Sequence, residues 1–388
     1  MMKHYLFIRK TYPEIAWGGC EIQVLNALKK IDYSKCKVTL AINFDIYSKR
    51  LKEANLPVNV VIVPFDLKDF NRGRFSKMLK FLTPLKPTRA IFIQGSFPDF
   101  SFSDFWAGFI ATKGSVYSWE MLGAPVPEKK CNDKLINLNL WWHKRMFLYA
   151  MRGWVAQKTL TVGKEIKNRL VEWYQYPSQK IYAVYNKIDT QTFCPDTQTK
   201  QAMRQQLGIS PTDTVLISTG RFSEEKNVDW LIRAYEKLRH EIPALHLILI
   251  GEGALRGQLE KLASSIDHKG RIRFLGFQEH VADYLKMSDI FTLSSSVEGL
   301  STALMEAMAT ELLVVVTKTS GTKELIDNEL TGYSTAINED EYFHTLRNAC
   351  LMPATTRETI GKNAREKILK LFQENPTNPL ELLKIENI

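Results

Sequence analysis

Two glutamates eight residues apart, Glu298 and Glu306, carry the strongest chemical signal in the chain. They follow an apolar run that ends at Leu293, so residues 294–309 are predicted to form a strand–loop–helix corner with Thr302 as the helix N-cap. Free backbone N–H groups at such a helix start attract anions. Each carboxylate can accept two hydroxyl hydrogen bonds, which suits a vicinal diol such as ribose or a sugar ring. Either glutamate alone would be an ordinary surface residue; together they favour a sugar or nucleotide site.

A second signal, Gly220 to Asn227, also follows a predicted strand. Gly220 allows a tight turn. Arg221 and Lys226 lie five residues apart across a loop, so both can reach one phosphate group, Arg with bidentate geometry and Lys as a point charge. The alternative is an exposed pair of basic residues.

Paired glycines open two further loops. Gly18 and Gly19 follow the first predicted strand. Gly251 and Gly253 follow a later strand, and their loop could form the base of a nucleotide pocket. Such glycines let the backbone approach a ligand closely, although two glycines alone are weak evidence. Arg256 occupies the third glycine position of a dinucleotide fingerprint, which argues against a dehydrogenase.

The sequence contains no Asp-x-Asp pair, P-loop, H-E-x-x-H or G-x-S-x-G motif. A nucleotide diphosphate would therefore be neutralised by basic side chains and helix N-termini. We expect no metal and no cofactor.

Charge is unevenly distributed along the 388 residues. Residues 1–180 carry a net charge of +15 and residues 181–388 a net charge of −5. The first part is expected to meet an anionic partner such as a membrane surface or a phosphorylated substrate. Nucleic acid is not expected, because no recognition motif accompanies the charge. A solvated basic surface is the alternative.

Two segments of this basic half could lie on a membrane. Phe75, Met78, Leu79 and Leu82 share one helical face within residues 72–82, and residues 141–149 mix aromatics with cations. An amphipathic helix packed on a sheet would show the same pattern.

The five cysteines are scattered, and no apolar run is long enough for a bilayer span or a signal peptide. We therefore expect reduced thiols and a cytoplasmic protein, peripheral on the inner face of the membrane.

Strand and helix signals alternate along the whole chain, which predicts an α/β fold with two doubly wound, Rossmann-like domains and an interdomain cleft. The first domain is expected over residues 1–185 and the second over 186–370, with the tail from about 371 to 388 packing back on the first. In such sheets ligands bind at the carboxyl ends of the strands.

Taken in order, these motifs resemble glycosyltransferase family 4, whose members are retaining enzymes with the GT-B fold and an E-x7-E motif. The resemblance is specific over residues 180–370 and loose before them. It rests on the following segments: Gly18-Gly19-x-Glu21, Asn186 to Asp189, Gly220-Arg221 with Lys226, Gly251-Glu252-Gly253, Glu298 with Glu306, and Gly321 to Ile326 with Thr331-Gly332.

The resemblance implies roles for individual residues. Arg221 and Lys226 would hold the donor diphosphate, Glu306 the nucleotide ribose, and Glu298 the transferred sugar. The other donor-binding positions would be Gly18, Gly19, Gly220, Gly251, Gly299, Leu300, Ser301 and Thr302. Arg221, Lys226 and Glu298 would be catalytic, because charge on the leaving diphosphate is stabilised electrostatically.

The acceptor side departs from the family. Residues 116–120 stand where the family often carries a histidine, so Glu120 and Trp119 are the acceptor-side candidates. The predicted function is metal-independent, retaining hexosyl transfer from a UDP- or GDP-sugar to a glycan or lipid-linked acceptor, in cell-surface polysaccharide or glycolipid synthesis. A non-catalytic GT-B protein that binds a sugar nucleotide or a partner transferase subunit is the alternative.

Overall fold

The computed structural model describes residues 2–11, 18–65, 73–95, 99–121, 147–267, 270–375 and 378–385. The chain divides into two compact units, Met1–Tyr185 with Thr377–Ile388 (unit 1) and Asn186–Pro376 (unit 2).

Unit 1 is built on a seven-stranded parallel sheet with the strand order β3-β2-β1-β4-β5-β6-β7. Its inner strands are almost continuously buried, as expected where helices cover both faces of a parallel sheet, whereas the edge strand β3 is partly exposed. The strands are β1 (Lys3–Arg9), β2 (Cys36–Ile42), β3 (Val58–Ile62), β4 (Arg89–Gln94), β5 (Val116–Glu120), β6 (Lys158–Val162) and β7 (Ile181–Val184).

Helices connect these strands and pack on the sheet. They are α1 (Gly19–Leu28), α2 (Ser48–Glu53), α3 (Arg74–Leu85), α4 (Phe102–Ala111), α5 (described over 147–155), α6 (Lys164–Glu172) and, from the end of the chain, α15 (Pro379–Leu382). Ser101 caps α4 through a reciprocal pair of hydrogen bonds with Asp104.

Helix α3 covers the core of unit 1 with its apolar face. Met78 and Leu82 are fully buried, and Phe75 and Leu79 pack against the same core. The stripe that we expected to face a membrane therefore packs inside the unit, because the sheet and α4 need it for burial.

The second predicted membrane segment, 141–149, lies outside the described residues except for 147–149, which begin the described part of α5. Within the described ranges, none of the helices combines the length and the apolar character needed to cross a bilayer.

Unit 2 has a six-stranded parallel sheet with the order β10-β9-β8-β11-β12-β13. Its strands are β8 (Thr214–Thr219), β9 (Leu245–Ile250), β10 (Ile272–Gly276), β11 (Ile290–Leu293), β12 (Leu313–Thr317) and β13 (Tyr333–Thr335). Its helices are α7 (Thr197–Gln206), α8 (Val228–Glu241), α9 (Arg256–Ile266), α10 (Val281–Met287), α11 (Thr302–Ala309), α12 (Thr322–Leu325), α13 (Glu339–Leu351) and α14 (Ala354–Glu374).

Both sheets are doubly wound, so each has a point where the connections change direction. In unit 2 this switch point lies between the neighbouring strands β8 and β11, and in unit 1 between β1 and β4. A crevice opens beyond the carboxyl ends of the strands at such a point, and it is where open α/β sheets bind their ligands.

Candidate donor site

The two loops at the switch point of unit 2 carry the predicted catalytic side chains. Lys226 ends the loop after β8, and Glu298 lies in the loop after β11. The Lys226 ammonium group donates to Glu298 Oε1 over 2.5 Å, and Ser295 Oγ donates to the same oxygen over 2.9 Å. The side chains remain partly accessible, 21% for Lys226 and 13% for Glu298. The structure thus joins two residues that lie 72 positions apart in the chain.

Polar contacts that the sequence analysis missed lock these loops together. Asn227 Nδ2 donates to the Ser294 carbonyl over 2.9 Å, and Ser294 Oγ donates to the carbonyls of Lys226 and Asn227. The backbone N–H of Ser296 donates to the Glu225 carbonyl over 2.7 Å. These bonds fix the position of Lys226 relative to the loop that carries Glu298.

Asn227 itself has a left-handed backbone with φ 45°. Asparagine tolerates this conformation better than most residues. An asparagine directly after the predicted cation Lys226 is therefore the sequence signal that could have identified Asn227.

Arg221 provides a second cation on the loop after β8. Its Nε is buried and has no hydrogen-bond partner among the described residues. A buried guanidinium nitrogen without a partner pays a desolvation cost that a bound anion would offset. Arg221 is therefore suited to bind a phosphate group.

The loop that carries Arg221 makes close backbone contacts with the loop after β9. The N–H of Gly220 donates to the Ile250 carbonyl, and a Cβ added at Gly251 would lie 1.8 Å from the Gly220 oxygen. Both glycines also have positive φ, 153° and 146°. Gly253 is equally confined, since its Cβ would lie 2.3 Å from the Phe222 oxygen. The predicted glycines thus permit the loops after β8 and β9 to touch.

Helix α11 begins one residue earlier than the N-cap prediction implied. The N-cap is Ser301, whose Oγ accepts from the N–H of Leu304 while its own backbone stays extended. Thr302 is the first helical residue, so its N–H points out of the helix start. The prediction of Thr302 as N-cap was wrong because Ser301 offers the same hydroxyl one position earlier.

The loop before α11 is packed against another backbone. Leu300 is 4% exposed. A Cβ at Gly321 would lie 2.1 Å from the Gly299 oxygen, so this approach requires glycine. Gly299, Leu300 and Ser301 are therefore held in place before the helix starts.

Glu306 is partly buried on α11. Burial raises the pKa of its carboxyl group to about 8. Among the described residues, no hydrogen bond or ion pair joins this carboxyl group to Arg221, Lys226, Glu298 or any other residue. A partly buried carboxyl group with a raised pKa and no partner is characteristic of a binding or catalytic position.

In unit 1, the predicted glycines start helix α1. Gly18 is the N-cap with an extended backbone, and Gly19 is the first helical residue. Glu21, buried in the first turn, forms an ion pair with Arg9 at the end of β1. Arg9 Nε and Nη1 are buried without partners among the described residues. The pair ties the start of α1 to the switch point of this sheet.

Glu120 and Trp119 both lie inside unit 1, 1% and 2% exposed. Glu120 Oε1 accepts hydrogen bonds from Ser118, Gln94 and Arg152, whereas Oε2 is buried without a partner in the described ranges. Burial raises the pKa of Glu120. Neither side chain is open to an acceptor in this conformation, so their acceptor-side role stays a prediction.

Comparison with known proteins finds sequence similarity concentrated in unit 2. Residues 199–367, most of unit 2, match the family model described as glycosyl transferases group 1. N-acetyl-alpha-D-glucosaminyl L-malate synthase of Bacillus anthracis is 29% identical over 197 residues, 51% of each chain.

A second relative is UDP-Gal:alpha-D-GlcNAc-diphosphoundecaprenol alpha-1,3-galactosyltransferase of Escherichia coli. It is 27% identical over 220 residues, which cover 55% of this chain and 56% of the relative. The chain thus spans about half the length of these two curated relatives.

Similarity of fold extends over the whole chain. The crystal structure of Anabaena Alr3699/HepE in complex with UDP has a TM-score of 0.73 and 18% identity, and the match covers 99% of this chain and 98% of that one. At this level of identity the match shows similarity of fold, and the glycosyl transferase family model matches residues of unit 2 alone.

Proposed function

We propose that the protein is a retaining, metal-independent glycosyltransferase that moves a sugar from a UDP- or GDP-sugar to a glycan or lipid-linked acceptor. The observation that carries the proposal is the Lys226–Glu298 pair at the switch point between β8 and β11, with Arg221, whose buried Nε has no partner among the described residues, on the same loop as Lys226. Two cations and a carboxylate at one crevice match the needs of a diphosphate joined to a polyhydroxyl ring.

The resemblance to retaining glycosyltransferases implies the following chemistry. The bond between the anomeric carbon and the diphosphate oxygen breaks, and a bond from the acceptor oxygen forms on the same face. The acceptor proton passes to the departing phosphate oxygen. Arg221 and Lys226 would stabilise the negative charge that grows on the leaving group, and no bound cation is then needed.

The remaining roles concern recognition. Glu298 would accept hydrogen bonds from hydroxyls of the transferred sugar, and Glu306 from the ribose. The N–H groups at the start of the eight-residue helix α11, at Thr302, would add positive potential to the diphosphate site. The start of α1 at Gly18 and Gly19 is the corresponding candidate for donor binding in unit 1. Gly220, Gly251 and Gly299 would shape the crevice.

The relatives support the substrate classes. The matched Anabaena protein was crystallised with UDP, and the matched Escherichia coli enzyme is named for a UDP-sugar donor and a diphosphoundecaprenol-linked acceptor. We therefore rank a UDP-sugar first as the donor. Lipid-linked glycan or polysaccharide synthesis is the corresponding process, with the protein at the inner face of the membrane.

Turnover of a UDP- and GDP-sugar panel tests the proposal. Arg221→Ala should lower kcat/KM by about 100-fold or more, since it removes a charge contact to the leaving group. No hydrogen bond of Arg221 is recorded in the described chain, so the far-ultraviolet circular dichroism and the thermal midpoint should not change. Lys261→Ala, an exposed lysine on α9, is the matched control and should retain full turnover.

Three outcomes would contradict parts of the proposal. Nucleotide-sugar binding without turnover would indicate the non-catalytic binder instead. Loss of turnover in excess EDTA would contradict metal independence. An inverted anomeric configuration of the product, read by nuclear magnetic resonance, would contradict retention.

The acceptor-side proposal for Glu120 and Trp119 has its own test. Glu120→Gln should raise KM for the acceptor and leave KM for the donor unchanged. An unchanged acceptor KM would remove Glu120 from the acceptor side.

A further inference from the structure

Helix α14 carries an arginine whose guanidinium group binds the end of helix α11. Arg365 Nη1 donates to the carbonyl of Ala309, the last residue of α11, and Arg365 Nε lies 3.9 Å from Glu311 Oε1. Carbonyls in the last turn of a helix lack partners within the helix, and a cation is favourable there. Arg365 therefore holds α11 at the end opposite to Thr302.

The same guanidinium group binds residues 186–195, which we call the joining segment because they follow unit 1 directly in the chain. Arg365 Nη1 donates to the Phe193 carbonyl over 2.9 Å, and Nη2 donates to the Thr190 carbonyl over 3.2 Å. The joining segment contains a hydrogen-bonded turn, in which the Asp189 carboxylate accepts from two backbone N–H groups. Arg365 thus ties α11 to a segment whose backbone is itself held by hydrogen bonds.

A glycine on α14 brings this helix against the turn that ends α11. A Cβ added at Gly361 would lie 2.0 Å from the Glu311 oxygen, and Glu311 has a left-handed backbone with φ 64°. Gly361 and Arg365 are four residues apart, so they lie on one face of α14. Helix α14 therefore contacts the end of α11 at two adjacent points.

Helix α11 carries a carboxyl group that opposes the position of the helix. Burial raises the pKa of Glu306 to about 8. The charged form of Glu306 is therefore stabilised by any shift of α11 that brings the carboxylate to water. Five of the eight residues of α11 are buried, so such a shift would move the helix as a unit. The contacts of Arg365 at the end of α11 oppose this shift.

We infer that Arg365 is a positioning residue of the donor site, which holds α11 so that Glu306 and the N–H groups at the start of the helix keep their places. Ala309 lies about 10 Å along the helix axis from Thr302, so Arg365 acts through α11. This inference deepens the proposed function, on which the roles of Glu306 and Thr302 rest.

UDP affinity, measured by isothermal titration calorimetry, tests the role of Arg365. Arg365→Gln is expected to weaken UDP binding about tenfold, since glutamine is shorter and carries no charge for the three carbonyls. Arg365→Lys keeps the charge but not the planar set of donors, and it should weaken binding about threefold. The lysine variant carries the test should the glutamine variant not fold.

Two further measurements separate positioning from a general structural role. In a Glu306→Gln background, the loss of affinity caused by Arg365→Gln should shrink to about threefold, because one contact through which Arg365 acts is already altered. In Arg365→Gln alone, the fall of stability that Glu306 causes between about pH 4.5 and pH 8 should become shallower, because a less tightly held α11 lets the carboxylate reach water. Urea titrations at several pH values measure this second effect.

A matched control lies on the same helix. Arg357 Nη1 donates to the carbonyls of Cys350 and Met352 over 3.1 and 2.8 Å, at the end of α13. Arg357→Gln removes bonds of the same kind without touching α11 or the joining segment. It should lower the free energy of unfolding and leave UDP affinity unchanged.

UDP affinity equal to that of the parent in both Arg365→Gln and Arg365→Lys would overturn the inference. So would an equal loss of affinity in Arg357→Gln, fully additive losses in the double variant, or a pH profile of Arg365→Gln that matches the parent. The proposed function fails in a different way: a parent that binds neither UDP nor GDP would defeat the donor site, and this inference with it.

Discussion

At the scale of single residues, Glu306 opposes the stability of the fold. Its pKa is raised from 4.5 to about 8 by burial, so the folded protein holds a proton on this carboxyl group that the unfolded chain releases above about pH 4.5. Between these values the native state binds more protons than the unfolded state, and stability falls as pH rises. Glu306 thus lowers the stability of the folded protein at neutral pH. Binding of a ligand by its carboxylate would account for a glutamate at this position.

Glu306→Gln is therefore expected to stabilise the protein and weaken donor binding. At pH 8 the free energy of unfolding should rise by about 4 kcal/mol, with little change near pH 4.5, because glutamine carries no charge to desolvate. UDP affinity should fall about tenfold, since the amide offers one acceptor oxygen where the carboxylate offers two.

Urea titrations at several pH values and calorimetric UDP titrations measure both effects. Glu358→Gln, on the exposed side of α14, is the control and should change neither. A pH-independent stability difference would show that Glu306 does not titrate in this window.

At Asn227, the contribution of the backbone conformation and that of the side-chain hydrogen bond can be tested separately. Its φ of 45° suits glycine, and its amide bonds to Ser294 across the two loops. Asn227→Gly keeps the backbone and loses the bond, so KM for the donor should rise about fivefold, equivalent to about 1 kcal/mol. Asn227→Ala adds left-handed strain and should also lower stability by about 1 kcal/mol.

Steady-state kinetics with a varied donor measures this effect. Asn55→Gly, at another left-handed asparagine, φ 52° after α2, is the matched control and should leave KM unchanged. A wild-type donor KM in Asn227→Gly would mean that the bond to Ser294 does not position Lys226.

The sequence was informative about residues whose chemistry is unusual for a surface. Arg221, Lys226 and Glu298 could be selected because two cations and a carboxylate follow predicted strands. The partner of Lys226 could not be predicted, because 72 positions separate it from Glu298 and only the neighbouring positions of β8 and β11 bring them together.

At the scale of elements, close approach of loops defines the crevice. Gly251 and Gly321 each lie against a carbonyl of a neighbouring loop, at Gly220 and Gly299 respectively. Either substitution by alanine should destabilise unit 2 by about 2 kcal/mol or more and abolish measurable UDP binding, because backbone rather than a flexible side chain must shift.

Urea unfolding and a thermal-shift assay with UDP measure these effects. Gly257→Ala is the control: its Cβ meets nothing within 4 Å and it lies in α9, so stability should rise by about 0.5–1 kcal/mol. Tight UDP binding by Gly251→Ala and Gly321→Ala would show that the loops do not set the site.

The elements themselves were largely predictable, since β9 and β12 are mainly aliphatic and α8 shows clear helical periodicity. The sequence does not predict which face of each helix is buried. Helix α3 and helix α4 both carry large apolar residues, and the tertiary packing alone decides that Met78 is buried while Trp106 is exposed.

At the scale of the whole molecule, local protection by a bound nucleotide gives the last prediction. In unit 2, segments 220–227, 251–253 and 294–302 follow the strands β8, β9 and β11. Hydrogen exchange with and without UDP is expected to show slower exchange in these three segments, since bound nucleotide suppresses local opening of the backbone that it contacts. Helices α7 and α13 should exchange at unchanged rates. Segment 18–21 of unit 1 is measured in the same experiment, and unchanged exchange there would remove Gly18 and Gly19 from the predicted donor-binding positions. Protection spread evenly over the chain would indicate general stabilisation without a localised site.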